Sequence, residues 1–389
     1  MALELQNLLL DEALRRLEFP VVSDSLFLAH AGVTILPRRV VRAMQDYLEE
    51  CGRRMQEYPE AWRAVNEARV SAAKLIGARA SEIALIGPTS VGLNLVASGL
   101  DWQPGDEVVF YPDDYPANVY PWMELVRRGV VMRPLLPAAP GEITLELVEK
   151  ALSPRTRLVA LASCHYLSGW RIKVDDIGRM LRARGVLFCL DAIQTVGAFD
   201  TRVDHVDFLA ADSHKWMLGP MSAGIFFVRE ELQDRLRPSL LGSWNVRSPQ
   251  FVAQPEIDFE RGGRRYEPGA LNLAGIIGMK AGIDLINELG IKDISAQLLS
   301  LKVRLHERLE PLGFEIIGPD PMGEFAGGIT TMRDPCRRLE PFFEHLNKHR
   351  IHASLRHDRE GRAHIRFSPH FYNTVAEMDH VADVLAEMV

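Results

Sequence analysis

The sequence predicts an α/β fold: a large domain with a mostly parallel seven-stranded sheet between helices, and a small α+β C-terminal domain. Three observations carry this expectation. Short apolar, β-rich runs alternate with helical patterns along the first two-thirds of the chain, the signature of strand–helix units. Most of those runs are too continuously apolar to have one wet face, which predicts strands buried on both sides of a parallel sheet. After about Gly290 the texture changes to long amphipathic helices with a few short strands between them.

The strands are expected at 82–87 (EIALIG), 107–112 (EVVFYP), 130–135 (VVMRPL), 157–163 (RLVALAS), 186–191 (VLFCLD), 207–212 (DFLAAD) and 223–228 (AGIFFV). The helical patterns between them are SVGLNLVASGL, YPWMELVRRG, LELVEKAL and VDDIGRMLRARG. Beyond them lie SAQLLSLKVRLHERLEPLG, LEPFFEHLNKHR and AEMDHVADVLAEM. The expected large domain covers 20–285, and the small domain 1–19 with 286–389; the boundary falls near Leu285–Gly290.

With 389 residues the chain is too long for one small core. A composition of 47% hydrophobic and 25% charged residues is that of an ordinary globular protein. The formal net charge of -7, without a block of like charge, argues against a nucleic-acid partner. No apolar stretch is long enough to span a bilayer, and the acid-containing start does not read as a signal peptide. The four cysteines, Cys51, Cys164, Cys189 and Cys336, form no CxxC pair. That predicts reduced thiols and a cytoplasmic setting.

Ligands of an open α/β sheet sit at the carboxyl ends of its strands. No GxGxxG, HExxH or GxSxG is present. Gly219 and Gly224 have P-loop spacing, but Ile225 and Phe226 stand where Lys and Ser/Thr are needed. What the strand ends do carry is polar. Thr89 and Ser90 open a helix, where free N–H groups and the dipole favour an anion. Asp191 ends an apolar run, where a carboxylate needs a cationic partner. Asp113, Asp114 and Tyr115 follow one strand; Asp212, Ser213, His214 and Lys215 follow another. An anion cradle, a buried acid, an aromatic face and a lysine are together what pyridoxal 5'-phosphate needs: phosphate, protonated ring nitrogen, ring face and aldehyde. Read singly, each has a plainer role as helix cap or surface charge.

The segment LDAIQTVGAFDTRVDHVDFLAADSHKWMLGPMSAGIFFVR resembles the Schiff-base region of the class V aminotransferase family, of pyridoxal-phosphate fold type I. That family includes cysteine desulfurases, isopenicillin N epimerases and C–S lyases. The resemblance extends through FLAHAGVTILP, GPTSVGLNLVA, DDYPANVYPW, RYEPGALN and IRFSPHFYNTVAEMD, over roughly residues 25–385. It implies that Lys215 is the Schiff-base lysine and proton carrier. Asp191 would pair with the pyridine nitrogen, and Gln194 would lie by the phenolic oxygen. Thr89, Ser90 and His214 would bind phosphate, Tyr115 would stack on the ring, and Arg366 would clamp the substrate carboxylate. It also implies a homodimer with active sites at the interface, acting on a small amino acid.

The departures from the family pattern shape the functional expectation. Asp212 stands where a serine often contacts phosphate, and Ala270 where a partner's threonine often does. The cradle is then expected to use Ser213, backbone N–H groups or an arginine that the sequence does not place. His30, near a position that is often asparagine, is a candidate substrate contact or a loop-packing residue. A desulfurase's sulfur-accepting cysteine would lie between Ile351 and Arg366, where this chain has none. Transamination or C–S lyase-type elimination, without a protein persulfide, is therefore the expected chemistry. Epimerisation and a non-catalytic cofactor-binding role are the alternatives. His345 and His349 have i, i+4 metal-ligand spacing, but no convergent carboxylate is evident in the sequence, and no metal is expected.

Overall fold

The structure is a computed structural model and describes residues 4–389; the first three residues of the expected small domain lie outside that range. All seven expected strands form one sheet. Their order is Ile83–Ile86, Gly224–Val228, Phe208–Asp212, Leu187–Asp191, Thr156–Ala162, Glu107–Phe110 and Val131–Pro134. Six run parallel, and Gly224–Val228 runs against both its neighbours. Side-chain alternation fills both faces. Phe188 and Leu190 join Ile177 and Leu181 of helix Val174–Ala183 in one core. Leu187 and Cys189 join Leu93 and Val96 of helix Thr89–Gly99 in the other. The strand Val131–Pro134, at one sheet edge, is half-exposed, whereas Ile83–Ile86 at the other edge is fully buried.

One expected helix is largely something else. YPWMELVRRG forms a four-residue α-turn, Tyr120–Met123, that tightens into a 3-10 segment, Glu124–Arg128. Gly129 then stops it at a φ of 78°, a conformation that glycine adopts without Cβ strain.

The C-terminal part packs helices Ile291–Leu309, Glu340–Lys348 and Val375–Ala386 on a four-stranded antiparallel sheet. Their shared core includes Leu301, Leu305, Phe342, Ile365, Phe367 and Met378. The chain enters this part at Gly290, whose φ of 87° separates helix Leu273–Leu289 from the next. Residues near the amino end contribute as well. Arg15 pairs with Glu377 at 2.6 Å, and Leu26–Phe27 runs parallel to Ile351–His352. The segment from Leu26 onward, expected in the large domain, is thus stitched to the small one and leads the loop Ala29–Val33 towards the large sheet's carboxyl edge.

A buried ion pair anchors the RYEPG segment. Arg69 of helix Pro59–Ile76 forms a two-pronged pair with Glu267, whose second contact is 2.7 Å. Glu267 also accepts from the Leu85 amide at 2.6 Å, and Arg69 donates to the Ile83 carbonyl at 3.1 Å. Both side chains are less than a tenth exposed. Removing one charge from such a pair leaves the other buried and uncompensated. The Glu267→Gln variant is expected to lose about 3–5 kcal/mol of stability, read as a lowered urea midpoint; a loss below about 1 kcal/mol would show that the pair is not a structural anchor.

Candidate active site

Strand order brings the polar residues to one place. The loops after Ile86, Phe110, Ala162, Asp191 and Asp212 all leave the carboxyl edge of the parallel strands. There they surround a cavity of about 400 Å³, closed from the other side by Ala29–Val33 and by the hairpin of Ser354–His357 and Ala363–Phe367. Thr89, Ser90, Tyr115, Asp191, Gln194, His214, Lys215 and Arg366 all line it, as the resemblance implies.

Lys215 is buried, and its ammonium nitrogen lies 5.3 Å from the centre of the Tyr115 ring. Burial, first, and the Arg366 guanidinium, second, push its pKa down to about 8; Asp191 opposes them. About a tenth of the amine is therefore neutral at pH 7, far more than for an ordinary lysine, and it is the neutral form that a nucleophilic lysine needs. Asp191 is buried at the end of its strand, with one carboxylate oxygen accepting from the Ile193 amide at 3.1 Å. Burial pushes its carboxyl up to about 6, so a cation placed beside it would restore its charge. Gln194 donates to the Ala31 carbonyl at 3.1 Å and accepts from the Trp216 indole at 2.8 Å, tying the amino-terminal loop to the lysine loop. Gly197 sits against that loop at a φ of 94°, and a Cβ there would come within 2.4 Å of the Trp216 carbonyl.

The Asp212 carboxylate is turned into the fold. It accepts from the amides of Ser213 at 2.7 Å and Ser222 at 3.2 Å, and lies 2.9 Å from His214 Nδ1. Its own amide donates to the Thr89 hydroxyl at 2.9 Å, which leaves the hydroxyl proton for a ligand. The acid thus holds the turn through those two amides and lies beside His214, whose Nδ1 makes no hydrogen bond. Two expected contacts are not brought into the cavity. Ser213 is fully buried and spends its hydroxyl on the Pro220 carbonyl at 2.9 Å. His30 lies behind the loop, between Thr34 Oγ1 at 2.6 Å and Tyr372 Oη at 3.0 Å. Burial holds its imidazole well below the usual histidine range, which suits packing.

Beside the expected Arg366, the cavity holds Arg356 and Tyr166, which the sequence reading passed over. Arg366 is buried and donates to the Tyr166 carbonyl at 2.6 Å, while its Nε and Nη2 have no partner in the protein. Arg356 lines the same space with its buried Nε unpaired. Strand register explains the pairing: Ser354 faces Arg366 across the hairpin, and Arg356 lies two residues on, on the same face. Two guanidiniums with spare donors ask for a carboxylate. Tyr166, edge-on to Tyr115 with centres 5.6 Å apart, follows the strand Thr156–Ala162. Asp114 sits beneath this wall, holding the Tyr115 amide at 2.7 Å and Asn118 at 3.0 Å. Burial, then the nearby Asp191, raise it to about 7. Trp244 packs on Trp62 in a separate surface cavity.

This fold and this donor set define a lysine-centred α/β cofactor enzyme. The chain belongs to the aminotransferase class-V family, which it matches over residues 26–381. It is 31% identical to a protein of Methanothermobacter thermautotrophicus named probable cysteine desulfurase, over 96% of this chain and 97% of that one. It is 29% identical to the isopenicillin N epimerase of Streptomyces clavuligerus, over 82% and 83% of the two chains. Among solved structures, the apo cysteine desulfurase of Thermococcus onnurineus superposes with a TM-score of 0.89 at 27% identity, covering 96% of this chain and 97% of that one. The protein is a pyridoxal-phosphate-dependent enzyme, a transferase or lyase. The cavity fits that cofactor: a buried amine of lowered pKa, a buried carboxyl, a helix N-terminus and a flanking aromatic ring converge on it.

The lowered lysine pKa gives a direct expectation. Capture of pyridoxal phosphate by the apoprotein should quicken with pH and level off just above pH 8, because only the neutral amine reacts. In Arg366→Ala the midpoint should move upward, since the guanidinium disfavours the ammonium. A profile still rising at about pH 10, near the unperturbed lysine value, would contradict the assignment.

Proposed function

We propose that this enzyme binds a small amino acid through its α-carboxylate and eliminates a sulfur group from the side chain, without passing sulfur to a cysteine of its own. The observation that carries the proposal is the pair Arg356 and Arg366, whose unpaired buried nitrogens line the same cavity as Lys215. The names of the desulfurase relatives point to cysteine-like substrates.

Bound pyridoxal phosphate supplies an electron sink for the pair left on the substrate's α-carbon. Asp191 would keep the proton on the ring nitrogen, and Tyr115 would cover the ring. Thr89, Ser90 and His214 would hold the phosphate at the helix N-terminus, with Asp212 beside His214. Gln194 would lie by the phenolic oxygen, with Trp216 and Ala31 holding its amide in place. Arg366, with Arg356, would orient the carboxylate so that the α-hydrogen faces Lys215. The neutral Lys215 amine would take that proton and hand it on to the departing sulfur.

The cysteines support the sulfur route. The hairpin carrying Arg356 and Arg366 contains none. Cys164 is buried and its thiol is pushed up to about 12, and burial also holds the Cys189 thiol well above its ordinary range. Neither has the thiolate that an acceptor requires. Cys336 is exposed, next to the strand Thr330–Arg333, and does not line the cavity.

The same reading includes a homodimer. Leu240, Leu241, Phe251 and Val252 are exposed apolar residues on the segment leading to RYEPG, and a second copy would cover them. Four unpaired cysteines fit a reducing, cytoplasmic setting. In this reading the chain would divide near Leu285–Gly290, with the amino-terminal strand Leu26–Phe27 counted with the smaller unit.

The test is to supply the holoenzyme with cysteine, cystine and other amino acids and to measure sulfur release, keto acid and inverted enantiomer. Sulfur and keto acid should appear in equal amounts, before and after thiol alkylation and in Cys336→Ala. Arg366→Ala should raise KM by about a hundredfold, the loss of a bidentate charged contact. Activity abolished by alkylation or by Cys336→Ala would contradict the elimination reading in favour of persulfide transfer. An inverted amino acid as sole product would favour epimerisation, the activity named in the Streptomyces relative.

A further inference from the structure

The i, i+4 histidines at the end of helix Glu340–Lys348 acquire in the fold the third ligand that the sequence does not reveal. Glu387, at the end of helix Val375–Ala386, meets them. One Glu387 carboxylate oxygen lies 3.0 Å from His345 Nε2 and 3.8 Å from His349 Nε2. One ligand atom from each of the three residues lies within 4.8 Å of the other two.

We propose that His345, His349 and Glu387 form a surface binding site for a zinc-class divalent metal ion, which clamps the two helices together. The hydrogen bonding is that of a metal-ready histidine. His349 Nδ1 is 3.1 Å from the His345 carbonyl oxygen, which can only accept. The proton is thereby fixed on Nδ1, and Nε2 turns its lone pair to the carboxylate. A lone pair facing an anion at 3.8 Å calls for a positive charge, which a bound cation or a second ring proton would supply. A zinc ion with bonds of about 2.0–2.1 Å to tetrahedral ligands separates those ligands by about 3.3 Å. The observed 3.0 and 3.8 Å from the carboxylate to the two rings bracket that spacing, and all three ligand atoms lie within 4.8 Å of one another. Two imidazoles and one carboxylate select zinc, cobalt or nickel over magnesium and calcium, which prefer all-oxygen ligands. Partial exposure of all three side chains leaves an entry path and a position for water. The site belongs to the small domain's helical layer and makes no contact with the Lys215 cavity.

The experiment uses the holoenzyme, stripped with chelator and desalted, then titrated with Zn²⁺ by calorimetry and with Co²⁺ by visible absorption. One ion per chain should bind in the micromolar range, with a cobalt ligand-field band. His345→Ala and Glu387→Gln should each weaken binding by about tenfold or more, while Cys336→Ala leaves it unchanged. Circular dichroism confirms that the variants, altered at the surface, are folded. No uptake at millimolar Zn²⁺, or uptake that both variants leave intact, would overturn the proposal and reduce the cluster to an ion pair.

Discussion

The structure turns on one constraint: an amine, a carboxyl and a guanidinium held out of water around a single cavity. Each is costly to bury alone. Lys215 relieves little of Asp191's cost, because the cationic Arg366 pulls the amine's pKa the other way. The three-way arrangement leaves the lysine partly neutral, the acid readily protonated and the arginine short of acceptors. A ligand with a basic ring nitrogen, an aldehyde and an amino-acid partner relieves all three at once. The unrelieved site is the imprint of what it binds.

That imprint depends on two parts of the chain meeting. Lys215 and Asp191 come from the parallel sheet, and Arg356 and Arg366 from the antiparallel hairpin. The amino-terminal segment joins them: it pairs with Ile351–His352, bonds Thr34 to the His214 carbonyl at 2.8 Å and takes Gln194 through Ala31. At the hairpin tip, Arg359 reaches across to Asp113 and the Pro112 carbonyl. The residues proposed to grip substrate and to hold the cofactor are thus linked through three separate segments.

Much of this was legible beforehand, for physical reasons. Strands buried on both faces must be apolar throughout, so all but the half-exposed Val131–Pro134 stood out for that reason, and the residues following them could be read as one rim. Asp191 and Lys215 are conspicuous because a charge ending an apolar run needs a purpose. Arg356 was hidden because it opens the charged run RHDREGR, which reads as a wet tip. Only the hairpin register places it beside Arg366. Tyr166 had a signal, its place after the strand Thr156–Ala162. Asp212 and Ser213 show the opposite limit. Adjacent residues at a strand end point to different sides, and spacing alone does not say which one faces the ligand. Glu387 meets the two histidines only through helix packing, which no local pattern encodes.

The central claim is that Lys215 carries the cofactor within this charge arrangement. Borohydride reduction of the pyridoxal-phosphate-loaded protein, followed by peptide mass mapping, tests it most directly. The account predicts one cofactor-derived mass per chain, on the peptide containing Lys215, and none after Lys215→Ala. The label on another lysine, such as the buried Lys302, or undiminished turnover in Lys215→Ala, would contradict it.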